Sequence, residues 1–373
     1  MAALLAPFIA LAAAAAAPAP AELPGVWEGN VGTLPVRACF MRREWGAFGA
    51  YYYLSRRRLI ALEAVEGRSD TFREGGSAAP NGPLWRIERA DAAGLTARWT
   101  GGGRTLAVRL NRVAHMEGDE SPCSNWAFNR PRLEGVRTVS TRMSRDGVAY
   151  TRLRLDHGGR FDATFESFAL DGADEPVRRI NAALGQALTG DPPHWFECIQ
   201  DSLAQGPFEG SFEETLIPTM ITRRWLSVTH HWNGFCGGAH PDASNSYRTF
   251  DRRTGQEVDL HDWFTSSAVK RERFEGSEEE TKSLQPAFRD FILAGWHPDP
   301  ADCDEAVRSE AFWTIGLTRD ALAFSPDLPH VAQACGEVFR VPFARLGPYL
   351  TQEGAENLRA LQTEAAPAAR TAR

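Results

Sequence analysis

The sequence predicts an α+β protein: an N-terminal antiparallel β sheet or barrel domain, then an α+β domain with antiparallel strands and two or three helices. Three observations lead there. Residues 22–133 carry short runs rich in Val, Leu, Tyr and Trp, broken by Gly, Asn and Asp, which is the alternation of strand and turn. From Asp174 the period changes: Val177, Ile180, Leu184 and Leu188 recur at intervals of three and four, one face of a helix. The chain then returns to strand-like runs, interrupted by Leu284, Phe288, Phe291 and Ile292, which mark a further helix.

Bulk properties agree with two domains. The chain has 373 residues, and domains run to roughly 150. Apolar residues make up 43% and charged residues 24%, ordinary values for a globular core. The net charge of -7 and the absence of a basic block argue against nucleic acid, or an anionic membrane surface, as partner. The expected organisation is a signal peptide over 1–21, a β-rich domain over 22–133, an α+β domain over 134–355 and a disordered tail over 356–373.

The leader, MAALLAPFIALAAAAAAPAPAELPG, has an apolar run from Ala2 to Ala17, then Ala19-Pro20-Ala21 before Glu22. A small residue on each side of the penultimate position is a secretory cleavage signal, although no Lys or Arg precedes the run. The run is too short to span a bilayer well. The chain is therefore expected to be periplasmic or secreted, with no transmembrane span once processed. Six cysteines, Cys39, Cys123, Cys198, Cys236, Cys303 and Cys335, fit disulfides in an exported chain. Their pairing is open from sequence alone. Proximity within domains favours Cys39–Cys123, Cys198–Cys236 and Cys303–Cys335.

In the first part, GVWEGNVGTLPVRACF, GAFGAYYYLSRRRLIALEAVEG, PLWRIERA and GLTARWTGGGRTLAVRLNRV read as strands. Turns are expected near Gly32, Gly67 and Gly101 to Gly103. The segment HMEGDESPCSNWAFNRPRLEG reads as an exposed connection that Cys123 ties back. In the second part, VAYTRLRL and RFDATFESFAL are strands, and Asp174 is placed to cap the first helix. SFEETLIPTMITRRWLSVTHHW is two strands with a turn near Thr222 to Arg224. SYRTFDRRTGQEVDL is a hairpin turning at Thr254-Gly255. AFWTIGLTRDALAFSP and EVFRVPF are later strands, and FARLGPYL a short closing helix.

The densest chemistry lies in HHWNGFCGGAHPDASNSYRTFDRRTGQEVDLHDWF, from His230 to Phe264. His230, His231, His240, His261 and Asp262 include metal-ligand types, but His230 and His231 are adjacent on a strand and point to opposite faces. Their spacing fits no metal motif, and no metal or other cofactor is called for. The Gly237-Gly238 pair instead suits a sharp turn, with His240 and Asp242 bonding loop backbone. Trp232, His240, Asp242 and Tyr247 are the candidate binding residues, since conspicuous loop chemistry on a rigid scaffold often carries binding. Glu213-Glu214 reads as a solvent-facing pair at a strand edge or turn. No G-x-S-x-G elbow is present, so no catalytic residue is assigned.

The stretch LSVTHHWNGFCGGAHPDASNSYRTFDRRTGQEVDLHDWF resembles the extracellular domain of the anti-sigma factor RsiV, a module that also accompanies PdaC-type peptidoglycan deacetylases. The resemblance runs over about 145–352. It is carried by the Gly-Gly-Ala-His turn at Gly237 to His240, the aromatic strand Tyr247 to Asp251, the hairpin at Thr254-Gly255, and Leu260, Asp262 and Phe264. The first part is similar to a small β-rich domain of bacterial envelope proteins. The chain departs from both relatives in lacking a sigma-binding segment and a deacetylase domain. TFDRR at Thr249 to Arg253 has Arg252 where a deacetylase motif has its second acid. The resemblance implies a non-catalytic binding or sensing module of the envelope, whose partner is an extracytoplasmic, lysozyme-like protein or a cell-wall glycan. The alternative is a cell-wall hydrolase or deacetylase-related enzyme.

Overall fold

The computed structural model describes residues 22–114, 121–273, 280–299 and 302–364. The leader, with its expected cleavage point at Glu22, and residues 365–373 of the expected tail lie outside the described set, Glu22 itself excepted. Contacts divide the chain into two compact units, one of Met1–Glu134 with Leu203–Glu209, the other of Gly135–Ser202 with Gly210–Arg373.

The first unit is a closed antiparallel barrel of eight strands: β1 Gly25–Val31, β2 Leu34–Arg43, β3 Gly46–Tyr53, β4 Ile60–Val65, β5 Arg68–Glu74, β6 Leu84–Asp91, β7 Gly94–Gly101 and β8 Arg104–Ala114. The first and last strands pair, so no edge is left open. Eight strands enclose a space that side chains can fill. Here Trp27, Phe40, Tyr51, Phe72, Trp85 and Leu95 fill it, each nearly inaccessible. One carboxylate enters this apolar interior. Glu74 Oε1 accepts from Tyr51 Oη at 2.6 Å, Trp85 Nε1 at 3.1 Å and Trp99 Nε1 at 2.6 Å.

A second cluster of the same unit joins Val26, Cys39, Phe48, Tyr52, Cys123, Phe128 and Leu203. This corrects the expectation of an exposed connection after the barrel. Residues 115–120 are outside the described set, but Cys123, Phe128 and Arg132 are fully buried. The Cys39–Cys123 disulfide fixes the segment, and Phe128 of the short helix α1 (Trp126–Asn129) packs on Tyr52. Arg132 forms an ion pair with Glu209, from the stretch Leu203–Glu209 that the chain contributes to this unit much later.

The second unit is built on a seven-stranded sheet in the order β15-β14-β13-β12-β11-β10-β9. Its strands are β9 Arg137–Arg145, β10 Val148–Asp156, β11 Ala163–Leu170, β12 Ser211–Ile221, β13 Trp225–Phe235, β14 Asp242–Asp251 and β15 Gln256–Glu257. All neighbours are antiparallel except β11 and β12. A parallel pair needs a long crossover, here α2 (Glu175–Leu184), a 3-10 turn at Gln186–Leu188 and α3 (His194–Ser202). Asp174 stands at the N-cap of α2 with extended backbone, although its side chain makes no capping bond. Asn181 pins that helix to β11 by bonding both the N–H and the carbonyl of Leu170, at 2.8 and 3.0 Å.

The main apolar core of this unit gathers Trp225, Trp263, Phe264, Phe288, Trp313, Phe324 and Leu346. It brings together the hairpin β16 Val269–Arg273 and β17 Glu280–Leu284, the helices α4 Pro286–Ile292 and α5 Asp302–Ser309, and the sheet β18 Trp313–Leu317, β19 Ala321–Pro326 and β20 Phe339–Pro342. The chain closes through α6 (Phe343–Leu346) and α7 (Gln352–Thr363). Residues 356–364, assigned to the tail from sequence, are mostly helix: Thr351 Oγ1 caps α7 by accepting from Gly354 N–H, and Leu358 and Leu361 are buried. Two more disulfides, Cys198–Cys236 and Cys303–Cys335, lie within this unit. No described helix is long and apolar enough to cross a membrane.

Candidate functional site

Strands β12, β13 and β14 form the floor of a cavity of about 310 Å³. Its residues are set by the two-residue period of strands. On β12, Phe212 and Glu214 face it; on β13, His230 and Trp232; on β14, Arg248. The roof is the end of α2 and the 3-10 turn, through Leu184, Gln186 and Ala187, with His194 of α3 at the side. Ser167 Oγ donates to Leu184 O at 2.6 Å and holds the roof on the sheet.

The polar centre is a short relay. Glu214 meets His230 diagonally across the β12–β13 pair, two residues from directly opposite. His230 Nε2 lies 2.9 Å from Glu214 Oε1, and both side chains are largely buried, at 23% and 16% exposure. With Nε2 donating to the carboxylate, the neutral ring offers Nδ1 as acceptor to the hydroxyl of Ser246, at 3.3 Å. Ser246 is directly opposite His230 on β14. Arg248 is committed elsewhere: Nε and Nη2 donate to Glu257 at 3.0 and 2.6 Å, and Nη1 to Ala183 O at 3.2 Å. The cavity therefore combines an indole, an imidazole and a carboxylate, all on strands, with the Ser246 hydroxyl behind the imidazole.

Of the four candidate binding residues Trp232, His240, Asp242 and Tyr247, only Trp232 lines this cavity. Tyr247 points to the other face of β14 and packs against Gly316 of β18, where a Cβ would fall 2.5 Å from its ring. Burial pushes its phenol above the ordinary value, with Arg340 opposing. His240 stands at the turn, its ring stacked on His330 at 4.6 Å, with Nδ1 3.0 Å from Pro241 O. Asp242 Oδ1 accepts from Ala243 N–H at 2.8 Å and from Gln333 Nε2 at 3.4 Å. His231 turns away from His230 and meets Asn245 Oδ1 at 2.9 Å. Among the described residues, no group of three or more His, Cys, Asp or Glu is placed to hold a metal ion.

Glu214 is a correction. It is neither at a strand edge nor solvent-facing; it sits within β12, between two paired strands. The signal was present in Phe212 and Leu216, apolar residues two places either side, which put Glu214 on a covered face.

The turn from Cys236 to His240 is built as a staple. Gly237 and Gly238 have φ of 98° and 100°, a region open to glycine and strained for other residues. Cys236 is tied to Cys198 on α3, with the two Cα atoms 4.4 Å apart.

No family model matches the chain, and no curated protein does. Solved structures that resemble it are distant. One is a DUF3298 family protein from Pseudomonas aeruginosa PAO1, with TM-score 0.35 and 14% identity over 59% of this chain and 95% of that one. Another is a DUF3298 family member from Bacteroides fragilis NCTC 9343, with TM-score 0.39 and 11% identity over 61% and 96%.

Proposed function

We propose that the protein is an exported, non-catalytic binding module of the bacterial envelope, and that the cavity over β12–β14 takes a sugar unit of a cell-wall glycan. One observation carries this reading: Trp232, His230 and Glu214 line a single cavity under an apolar roof. An indole offers a flat apolar surface with a polar edge, suited to the C–H face of a pyranose. A carboxylate and an imidazole beside it supply hydroxyl partners. The volume, about 310 Å³, sits at the low end of the roughly 300–1,000 Å³ of small-ligand pockets, so it suits a ring or two and not a protein surface. The leader and the three disulfides support export. A lysozyme-like protein partner, which the sequence resemblance implies, would need a flatter and larger patch.

Calorimetric titration of the exported chain with soluble oligosaccharides of β-1,4-linked N-acetylhexosamines tests this reading. Saturable binding is expected, with W232A at least about tenfold weaker, a loss of about 1.4 kcal/mol. Absence of binding, or equal binding by W232A, refutes it.

A hydrolase or deacetylase-related enzyme is the second reading, and the Ser246–His230–Glu214 relay favours it. Hydroxyl, base and carboxylate stand in the order of a nucleophilic triad. Against it, Ser246 is mid-strand in β14 and not on a strand-to-helix elbow. The Ser246–His230 contact of 3.3 Å is also longer than the ~2.5–3.0 Å of an O–H hydrogen bond. Ester turnover by the wild type that S246A abolishes would establish the enzyme reading instead.

A further inference from the structure

A second cavity, of about 270 Å³, lies in the same unit at the opposite end of β13 from the Gly-Gly turn, and it is basic. Arg223 follows β12, Arg252 follows β14, and Arg319 precedes β19; Asp146 and Glu364 complete the charged lining. Three guanidiniums against two carboxylates leave one positive charge, in a chain whose net charge is -7.

The carboxylates already have partners. Asp146 accepts from Arg319 Nη2 at 2.9 Å and from Ile221 N–H at 2.9 Å. Its carboxyl is held below the ordinary value: burial raises it, and these two bonds outweigh that. Glu364 Oε2 accepts from the backbone N–H of Arg223 at 3.0 Å, a bond that leaves the Arg223 guanidinium unused. Arg252 is the telling residue. Its Nη1 donates to Thr222 O, while its Nε is buried with no hydrogen-bond partner among the described residues. An orphaned buried donor on a charged group is costly and calls for a missing partner. Burial also pushes the Arg252 guanidinium below its ordinary value, with Glu364 and Asp174 opposing only in part.

We propose that this cavity, through Arg252 with Arg223 and Arg319, binds a carboxylate group of a small ligand. A monoanion matches the single excess charge. A planar carboxylate matches the planar fork of a guanidinium. Two sources present that group, the C-terminus of a peptide and an acidic sugar, and the binding chemistry is the same for both. The inference rests on residues separate from the β12–β14 cavity and stands or falls independently of the glycan reading. It also gives Arg252, the residue that breaks the deacetylase-like motif at Thr249 to Arg253, a role of its own.

The test is an NMR titration of the full exported chain, following the Arg Nε–H resonances. N-acetylglycine represents a peptide terminus, glucuronate an acidic sugar, and N-acetylglycinamide and inorganic phosphate are the comparisons. Saturable shifts with N-acetylglycine or glucuronate, and none with the amide, are expected; whichever acid binds more tightly identifies the source. R252Q should weaken that binding at least tenfold, while R56Q, an exposed change in the barrel unit, should leave it intact. No saturation with either acid overturns the proposal, as does an equal response to acid and amide, tighter binding of phosphate than of either acid, or unchanged binding by R252Q. Should R252Q fail to fold, the acid-against-amide comparison on the wild type decides alone.

Discussion

Inside the barrel, the hydroxyl of Tyr51 donates to Oε1 of Glu74 across 2.6 Å, and that one oxygen also serves the indoles of Trp85 and Trp99. Burial first, and the Glu74 charge next, push the Tyr51 phenol far above its ordinary value. The tyrosine thus stays a donor at any pH the fold survives. The three donors converge from β3, β6 and β7, so Glu74 ties β3 to two strands with which it does not pair.

Glu74→Ala should therefore cost more than a lost ion. It strands three polar groups in an apolar interior, each worth about 1–3 kcal/mol when unsatisfied. A loss of about 3–4 kcal/mol in urea unfolding is expected, because relaxation and water entry spare part of the sum. Glu74→Gln keeps one acceptor and should lose about half as much. Equal stability of E74A and wild type would mean that the donors find other partners.

Arg132 is fully buried and pairs with Glu209. Removing one member of a buried pair leaves an uncompensated charge, at a cost of about 3–5 kcal/mol. Glu209→Ala should reach that range. Replacing both, as R132M/E209L, should restore most of the stability, since apolar substitution of a whole buried pair is often near neutral. Urea melts of the three variants form the check. A double variant as unstable as E209A would assign the role to the other bonds of Arg132, to Asn129 and the Arg57 carbonyl.

These relationships were unevenly legible in the sequence. The barrel strands were readable because LAVRL and its neighbours alternate apolar and polar residues, and the turns at Gly32, Gly67 and Gly102 carry φ values of 60°, 71° and 56°. Strand β9 went unread because Arg137–Arg145 has no buried face to imprint a period; eight of its nine residues are exposed. The apolar face of α7 is only Leu358 and Leu361 with small neighbours, too sparse to separate from a tail. At the cavity, Trp232 was visible as an aromatic near the turn. Glu214, His230 and Ser246 were not seen as a group, since their meeting depends on the register of β12, β13 and β14. Register arises from pairing across the sheet and is not written in any one strand.

Gly238→Val tests the staple. The site has open space around a would-be Cβ, so a collision is not the issue. The backbone at φ 100° is. A β-branched residue there is strained by about 1–3 kcal/mol, and a loss of that size should appear in thermal melts. His240→Ala should cost about 1 kcal/mol or less, the worth of one loop hydrogen bond. Chelator should leave the wild-type melt unmoved. A chelator-induced drop that H240A removes would make the turn a metal site.

Asp259 offers a pH test with a defined sign. Burial by itself would raise its carboxyl, but bonds from His261 and Lys282 hold it well below the ordinary range. His261 Nδ1 lies 2.6 Å and Lys282 Nζ 2.9 Å from its oxygens, and the backbone N–H of His261 donates at 3.0 Å. A depressed folded value means that the stabilisation is complete above the unfolded value, near 3.9, and is lost as pH falls through the folded one. Asp259 is also 46% exposed, so solvent screening limits its worth to about 1 kcal/mol. Asp259→Asn should lower stability by that amount at pH 7. The gap between variant and wild type should narrow only below about pH 4, as the wild type itself loses the charge. Urea midpoints measured from pH 7 down to pH 3 provide the curve. A gap already closed at pH 5, or constant down to pH 3, would show that the Asp259 charge is not what holds the His261–Lys282 cluster.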